Sequence, residues 1–225
     1  MGNPIVYRLG ERALVLDPAP SLPIDIEKQR KLCWLATQCR AAKEVESAIP
    51  GMNNLTLICK SSATVNYWLQ HLANLWQQAE TESLSTNHHV IEVKYGGQYG
   101  IDLDAVARLH QLSTQEVIEI HSAANYQVCF LGFMPGFAYL TGLDSRIMTP
   151  RLATPRSKVP AGSVAIGGEQ TGIYPSDSPG GWQIIGHSDV TLFDPNAASP
   201  SLLQPGDTLS FTAIKHSSGS IHAAN

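Results

Sequence analysis

Charged side chains are scarce in this sequence. Asp, Glu, Lys and Arg together make up 15% of its 225 residues, whereas globular chains usually carry about 25%. A surface with few charges is harder to keep hydrated, so one interpretation is that part of it is buried against a partner. The other interpretation is a compact β-rich fold whose loops are polar but uncharged. Composition alone leaves both open.

Other missing features exclude whole classes of protein. Lys and Arg number 15 against 19 Asp and Glu, a net charge of −4, so a basic surface for nucleic acid is not expected. No apolar run approaches the roughly 18 residues that indicate a membrane-spanning helix. The start of the sequence lacks the basic and apolar segments of a secretory signal. We therefore expect a cytoplasmic protein that binds neither nucleic acid nor membrane.

Common signatures of catalysis and metal binding are also missing. The four cysteines form no C-x-x-C pair and are interpreted as buried thiols in a reducing compartment. The sequence has no G-x-x-x-x-G-K-[ST] loop, which argues against a P-loop ATP site in this chain. His88 and His89 have no partner at metal-ligand spacing, and no metal site is expected.

The first 87 residues predict a small α+β domain. Two short β-like runs are followed by a helix over Ile26 to Lys43, a strand at Leu55 to Ile58 and a second helix over Val65 to Ala79. Apolar residues recur at helical spacing in both helices, and Asp25 stands where an N-cap is expected. Pro50-Gly51 indicates a turn. The order favours a ferredoxin-like domain, with a polar linker at residues 81–87.

Residues 88–215 predict a second domain of a different kind. Asp102 is expected to cap a helix over Leu103 to Leu112, and Ser113 with Glu116 has the spacing of a capping box. From Tyr126 onward, short apolar runs alternate with Gly and Pro, the pattern of an all-β barrel or sandwich. One such run is Val190 to Phe193. Residues 216–225 are interpreted as a polar tail.

Glycine and proline are concentrated in one part of this second domain. Between Leu131 and Gly186 they supply 16 of 56 residues, against roughly 12% in an average chain. Glycine lets a backbone approach a ligand closely, proline stiffens the neighbouring loop, and arginine can grip a carboxylate or phosphate. A pocket for a small anionic molecule is one interpretation; tight barrel corners with core aromatics are the other.

Candidate site residues follow from this region. His187 comes directly after the Trp182 loop and could act as an acid or base near neutral pH, and Asp177 lies before a Pro-Gly-Gly-Trp turn. These two are the candidate catalytic residues. The candidate substrate-binding residues are Phe133, Pro135, Gly136, Phe137, Tyr139, Arg151, Arg156, Tyr174, Gly180, Gly181 and Trp182.

The same region carries a family resemblance. Phe133 to Leu140, the two Pro-Arg pairs at 150–151 and 155–156, Val159 to Ala165, and Tyr174 to Trp182 followed by Ile185-Gly186 resemble the PxpB/KipI family. That family is also labelled allophanate hydrolase subunit 1, or the C/D part of the carboxyltransferase domain. The similarity extends roughly from Tyr7 to Ile214. It implies a small α+β N-terminal domain and a cyclophilin-like β-barrel.

The resemblance also implies a function. It indicates a subunit of bacterial 5-oxoprolinase, which hydrolyses 5-oxo-L-proline to L-glutamate with ATP, together with PxpC-type and PxpA-type subunits. ATP would be bound by or with a partner subunit. On this hypothesis Arg151 and Arg156 bind the anion, and the Gly180-Gly181 backbone and His187 polarise the lactam or handle a proton. The KipI name suggests an alternative, an inhibitor that binds the dimerisation domain of a sensor histidine kinase.

One position departs from the family pattern. Family members commonly read Ile-Gly-Arg-Thr where this sequence has Ile185-Gly186-His187-Ser188. The difference replaces a permanent cation by a pH-dependent one. Position 187 therefore cannot simply inherit an anion-binding role, and the change could mark a different lactam, urea or related amide as substrate.

Overall fold

The computed structural model describes residues 4–18, 25–79 and 87–214. These residues form two compact units. The first lies within residues 1–89, 126–142 and 192–209, and the second within 90–125, 143–191 and 210–225. Residues 81–86 of the expected linker at 81–87, and the expected tail at 216–225, lie outside the described residues. The division into domains at residue 87 stays a prediction.

A four-stranded antiparallel sheet forms the N-terminal part of the first unit. Its strands lie in the order β1-β2-β4-β3. Successive side chains of a strand point to opposite faces, and one face of this sheet carries the buried leucines of β2 and β4. The four strands are β1 (Ile5–Leu9), β2 (Ala13–Asp17), β3 (Val45–Gly51) and β4 (Asn54–Cys59).

Two helices supply the other side of this core. Helix α1 (Ile26–Arg40) and helix α2 (Val65–Gln77) confirm both predicted helices, each ending two or three residues early. The Asp25 carboxylate accepts a hydrogen bond from the backbone N–H of Lys28 at 3.1 Å, as expected of an N-cap. The residues that the two helices bury against the sheet are Leu32, Leu35, Ala36, Cys39, Val65, Trp68, Leu72 and Trp76.

The ferredoxin-like layout of this sheet is not confirmed. Its elements run strand-strand-helix-strand-strand-helix, whereas a ferredoxin-like domain runs β-α-β-β-α-β. The sequence prediction missed β3 because Pro50-Gly51 was interpreted as a turn. Both residues instead pair with β4, opposite Leu55 and Asn54. Proline is tolerated there because β3 is an edge strand.

Seven strands close into a barrel, which confirms the barrel prediction and fits the cyclophilin-like expectation. Hydrogen-bonded neighbours follow the order β10-β7-β6-β13-β5-β12-β9. The run Val190 to Phe193 is not a strand, since only Phe193 makes an isolated bridge, to Ser201. The barrel strands are β5 (His88–Tyr95), β6 (Asn125–Leu131), β7 (Ala138–Thr141), β9 (Ser163–Gly167), β10 (Gln170–Ile173), β12 (Gln183–His187) and β13 (Thr208–Ala213).

A two-stranded sheet and two helices complete the described structure. Strand β8 (Arg156–Val159) pairs with β11 (Ser178–Gly180). Helix α4 (Thr114–Ala123) begins with the predicted capping box, because Ser113 and Glu116 bond reciprocally. Helix α3 (Leu103–His110) is also confirmed. Asp102 stands at its N-cap position, as predicted, but the Asp102 side chain makes no capping hydrogen bond.

A hydrogen-bonded histidine lies in the core of the second unit. His121 is fully buried, with Nδ1 2.7 Å from the Tyr95 hydroxyl and Nε2 2.9 Å from Thr171 Oγ1. The Thr171 hydroxyl donates its proton to the carbonyl of Ala165 at 2.9 Å. It must therefore accept from His121 Nε2–H, and Nδ1 accepts from Tyr95. Burial lowers the pKa of His121 to about 3, so the ring is neutral at physiological pH.

The four cysteines are buried free thiols, as predicted. Burial raises the pKa of Cys33, Cys39 and Cys129 to about 12, which keeps these thiols protonated and unreactive. In the parts of the chain that the structure describes, no group of three or more His, Cys, Asp or Glu side chains could hold a metal ion. No helix among the same residues is long and apolar enough to cross a membrane.

Candidate functional site

Two cavities of the second unit share one side chain, His187. The first has a volume of about 390 Å³ and the second about 400 Å³. The first is lined by Val90, Ile91, Glu92, Lys94, His187, Ser188, Asp189, Val190 and Ile214. The second is lined by Gln98, Tyr99, Ile101, Pro160, Ser163, Ile184 and His187. A residue shared by two cavities is well placed to contact a ligand.

His187 is held by an ionic pair that the sequence did not reveal. Its Nε2 lies 3.1 Å from Asp189 Oδ1, and the other oxygen of Asp189 is 2.5 Å from Lys94 Nζ. The hydrogen bond from Lys94 lowers the pKa of Asp189 and raises that of Lys94. Because an ionised carboxylate only accepts hydrogen bonds, His187 must donate from Nε2.

Gly162 fixes the other edge of the His187 ring. A Cβ at this position would lie 2.4 Å from Cε1 and 2.9 Å from Nδ1 of His187, closer than atoms can approach. Gly162 also has φ of +80°, a conformation that glycine adopts without strain. The missing side chain therefore leaves room for the imidazole between the two cavities.

The second cavity is suited to a small ring with polar substituents. Tyr99, Ile101, Pro160 and Ile184 give it apolar walls, and its polar groups come from Gln98, Ser163 and His187. Tyr99 stands 5.8 Å from the His187 ring, measured between centroids. A few placed polar groups on apolar walls are typical of small-molecule sites.

Asp177 is connected to His187 through the segment that contains Ala161 and Gly162. Its carboxylate accepts from the backbone N–H of Ala161 at 2.9 Å and lies 2.7 Å from Lys158 Nζ. The Lys158 hydrogen bond is the main cause of its lowered pKa. Asp177 thus holds the turn that precedes Gly162. Its assignment as a catalytic acid stays a prediction, and the lowered pKa favours a permanently ionised carboxylate.

The two arginines have different environments. Arg156 donates to Asp102 Oδ1 at 2.6 Å and, at 3.5 Å, to the carbonyl of Trp182. Asp102 Oδ2 accepts from the backbone N–H of Ile184 at 2.7 Å. This explains why Asp102 does not cap α3: its carboxylate is used by Arg156 and β12. Arg156 is neutralised there, which leaves it poorly suited to bind an anion.

Arg151 is the more available cation. Its guanidinium lies 5.6 Å from the Trp182 ring centroid, a cation–π arrangement. No ion pair of Arg151 with another described residue is found. Arg151 therefore contacts the Trp182 ring, and Arg156 contacts the Trp182 carbonyl. Of the two, Arg156 is paired with a carboxylate, and Arg151 is not paired with one among the described residues.

The remaining candidates of the second unit are mainly packing residues. Trp182 is buried against Gly167, where a Cβ would lie 2.4 Å from the indole. Tyr174 is buried against Gly180, where a Cβ would lie 2.5 Å from its hydroxyl oxygen. Gly181 accepts a backbone hydrogen bond from Leu152 at 2.7 Å. Their positions favour the barrel-corner interpretation, while direct substrate contact stays a prediction for each.

The other five candidates belong to the first unit. Gly136 and Phe137 are buried, Tyr139 is half-buried, and Phe133 and Pro135 are exposed. None of the five lines either of the two cavities around His187. Their assignment to substrate binding stays a prediction.

Sequence reasoning missed Lys94, Tyr99 and Asp189 as parts of this site. Asp189 stands two residues after His187, a spacing close enough to have suggested a pair. Lys94 lies on β5 and comes close to His187 because the two residues pair across β5 and β12. That register requires the closed barrel, so no local signal could have found it.

Comparison with known proteins identifies the family. The family of the carboxyltransferase domain, subdomain C and D, matches residues 4–203. The B subunit of 5-oxoprolinase from Escherichia coli O157:H7 is 44% identical over 210 residues, which cover 93% of this chain and 95% of that protein. The same subunit from Haemophilus influenzae is 44% identical over 206 residues, covering 92% and 96%.

Solved structures agree with this family. The crystal structure of TTHA0988 superposes with a TM-score of 0.77 at 33% identity, over 91% of this chain and 40% of that one. This chain therefore spans less than half the length of that protein. The match over nearly its whole described length confirms the resemblance to the PxpB/KipI family: the chain belongs to the family of the carboxyltransferase domain, subdomain C and D.

Proposed function

We propose that this chain is a subunit of an ATP-dependent 5-oxoprolinase, which acts with PxpC-type and PxpA-type subunits to hydrolyse 5-oxo-L-proline to L-glutamate. The observation that carries the proposal is its 44% identity to proteins named as the B subunit of 5-oxoprolinase, across 95% and 96% of their lengths. At this identity and coverage, we expect this chain to share both the fold and the role of those proteins.

The cavities around His187 support binding of a lactam. The substrate is a five-membered ring with one amide and one carboxylate. The apolar walls of the second cavity suit the ring carbons, and Gln98 and Ser163 can pair with the amide. His187, at the boundary of both cavities, is the residue best placed to contact the polar end of the substrate.

We assign His187 the role of a polarising donor. ATP transfers its terminal phosphoryl group to the lactam oxygen and leaves as ADP. Water then adds to the activated carbon, the C–N bond breaks with the nitrogen leaving as the amino group of glutamate, and phosphate is released. Negative charge accumulates on the oxygen substituents of the reacting carbon as water adds, so a donor aimed at them lowers the barrier. Because Asp189 accepts from Nε2 of His187, the donor to the substrate has to be Nδ1–H, which only the cationic form of the ring carries.

ATP is better accommodated by a partner subunit than by these two cavities. Lys94 is the one Lys or Arg among their described lining residues, and Asp189 neutralises it. Glu92 adds a further negative charge to the first cavity. A triphosphate needs several uncompensated cations or backbone donors, so these residues do not fit it. Arg151 is the candidate of this chain for anion contact at a shared surface.

The cellular setting follows from the proposed reaction. Because it consumes ATP, we propose a cytoplasmic enzyme. The alternative role, inhibition of a sensor histidine kinase, stays a prediction, since no contact or cavity of the described residues favours it over the enzyme.

An omission assay tests the proposal. We expect the purified chain alone to release no glutamate from 5-oxo-L-proline and ATP. Addition of PxpC-type and PxpA-type subunits from the same organism is expected to start the reaction, and omission of this chain is expected to stop it. Glutamate is measured by an enzyme-coupled assay, with heat-denatured chain as the control. A rate that does not depend on this chain would contradict the proposal.

A further inference from the structure

The second cavity contains a buried hydroxyl, that of Ser163, which makes no hydrogen bond to another described residue. Ser163 is 3% exposed. Of the other residues that line this cavity, Ile184 is buried, whereas Gln98, Ile101 and Pro160 are exposed. Ser163 and Ile184 therefore form the deep end of the cavity. Because buried polar side chains are nearly always hydrogen bonded, a hydroxyl in this position indicates a ligand as its partner.

The strand register places Ser163 beside His187. In the pairing of β9 with β12, Ser163 lies opposite His187 and Ala165 lies opposite Ile184. Alternate residues of a strand share a face, and so do residues directly opposite each other. Ser163, Ile184 and His187 therefore point to the same side of the barrel wall. The Cβ atoms of Ser163 and His187 are expected to lie about 5 Å apart, as for any directly opposed pair.

The Nδ1 atom of His187 lies next to the segment that carries Ser163. A Cβ on Gly162, the residue before Ser163, would lie 2.9 Å from this atom. The opposite nitrogen, Nε2, is bonded to Asp189. Nδ1 is therefore the ring nitrogen that faces the Ser163 end of the pair. In the cationic ring Nδ1–H can only donate, whereas a serine hydroxyl can also accept, so the two groups offer a donor and an acceptor side by side.

This pair complements one edge of a lactam. The ring of a five-membered lactam holds its amide in the cis form, so the carbonyl oxygen and the N–H point to the same side. That edge presents an acceptor next to a donor, the counterpart of His187 Nδ1–H next to Ser163 Oγ. The ring carbons behind this edge are apolar, and the buried Ile184 side chain can pack against them.

We propose that Ser163 is the specificity-determining residue of the site, whose hydroxyl oxygen accepts a hydrogen bond from the lactam N–H while His187 Nδ1–H contacts the carbonyl oxygen of the same amide. The inference rests on the proposed function, which supplies the lactam. It restricts the substrates to five-membered rings whose amide nitrogen carries a hydrogen.

The burial of Ser163 gives this contact its discriminating power. Gln98 also lines the cavity and has an amide of its own, but it is exposed, so water can replace a missing ligand contact there. Ser163 has no such access. A ligand without the N–H leaves a buried group unpaired, and sites of this kind reject such analogues strongly.

A pair of ligands that differ only at the ring nitrogen tests the proposal. The second ligand is 3-oxocyclopentane-1-carboxylate, in which a CH₂ group replaces the N–H of 5-oxo-L-proline. Their Kd values are measured by isothermal titration calorimetry on the complete assembly of this chain with both partner subunits, with a non-hydrolysable ATP analogue in place of ATP. We expect the ketone to bind about 10-fold or more weakly than the lactam.

Two serine variants show which hydroxyl causes the difference. Ser163→Ala should raise the Kd of 5-oxo-L-proline by about 10-fold or more and change that of the ketone by less than about threefold. Its melting temperature should not fall, because no hydrogen bond within the described structure is lost. Ser178→Ala is the matched control: it removes a buried hydroxyl that makes no hydrogen bond to another described residue and lines neither cavity, and it should leave both Kd values within about threefold.

The outcomes separate this inference from the proposed function. If Ser163→Ala weakens only the lactam while the unmodified assembly makes no glutamate, the recognition role stands and the 5-oxoprolinase role fails. If the unmodified assembly makes glutamate and Ser163→Ala binds the lactam as tightly, the enzymatic role stands and the inference is wrong. Equal losses for both ligands with a lower melting temperature would show a structural role and also overturn it, as would an unmodified assembly that binds neither ligand.

Discussion

Replacement of His187 by alanine is expected to lower the kcat of the reconstituted 5-oxoprolinase by about 10²- to 10³-fold, as for loss of one donor to a developing oxyanion. KM should change much less, because the interaction strengthens as charge develops on the lactam oxygen. The melting temperature should change little, since the imidazole is partly exposed and its partner Asp189 lies at the surface. Steady-state kinetics of the assembled enzyme provide the measurement.

Two variants control for this result. Glu92→Ala alters the same first cavity without touching the donor, and it should retain kcat within about threefold. His187→Arg restores a cation that can still pair with Asp189, and we expect it to recover kcat to within about tenfold of the unmodified enzyme. If His187→Ala retains full kcat, or raises only KM, His187 is not the polarising donor.

Replacement of His121 by alanine is expected to lower the free energy of unfolding by about 3 kcal/mol or more. The ring is fully buried and hydrogen bonded to Tyr95 and Thr171, so its loss leaves a cavity and removes one hydrogen bond from each of these two hydroxyls. For a chain of this size the melting temperature should fall by roughly 6–12 °C. His71→Ala, which alters an exposed histidine of α2, is the control and should change stability by less than about 0.5 kcal/mol.

The same histidine should make the fold acid-sensitive. Its pKa is about 3 when folded, against an ordinary value of 6.5, so between these values the unfolded chain binds a proton that the folded chain does not. Above pH 6.5 His121 therefore does not reduce the free energy of unfolding. As the pH drops from 6.5 toward 3, the free energy of unfolding falls by up to about 1.4 kcal/mol per pH unit.

A glutamine variant isolates this titration. His121→Gln keeps a donor and an acceptor but cannot titrate, so its stability should fall less steeply between about pH 6 and pH 4 than that of the unmodified chain. Urea unfolding at several pH values measures both slopes. Identical slopes in the two proteins would show that His121 does not carry the acid sensitivity.

Much of the fold could be predicted from local signals. The helical spacing in α1 and α2, the Asp25 cap and the Ser113–Glu116 capping box depend on residues close in sequence, and all were confirmed. The alternation of short apolar runs with Gly and Pro left a barrel or a sandwich open, and the family resemblance favoured the barrel that the structure has. The helices and their caps could be predicted because each is decided within one or two turns of chain.

The failures were decided by distant partners. Pro50-Gly51 has the composition of a turn, and only its edge position beside β4 lets it form a strand. Asp102 has the position of a helix cap, but Arg156 and the backbone of Ile184 use its carboxylate. The anion contact of Arg156 stays a prediction, but its pairing with Asp102 could not be foreseen, because a sequence shows a cation without showing which acid lies beside it.

For the candidate site, too, local features could be predicted and distant partners could not. His187 was singled out from its position after the Trp182 loop, and the structure adds Asp189, Lys94 and Gly162 around it. Lys94 lies 93 positions before His187 in the sequence. The two residues become neighbours only because β5 pairs with β12 in the closed barrel, and no sequence motif encodes that pairing. The Phe133 loop was identified by composition, whereas the positive φ of Phe133, 67°, is visible only in the backbone.

The most direct test of the central claim is the ratio of ADP formed to glutamate formed by the complete assembly. The account predicts that 5-oxo-L-proline, ATP, this chain and both partner subunits give ADP and glutamate in a ratio near one. It also predicts that both products disappear together when this chain is left out. ATP hydrolysis without ring opening in the complete mixture, or glutamate formed at an unchanged rate without this chain, would contradict it.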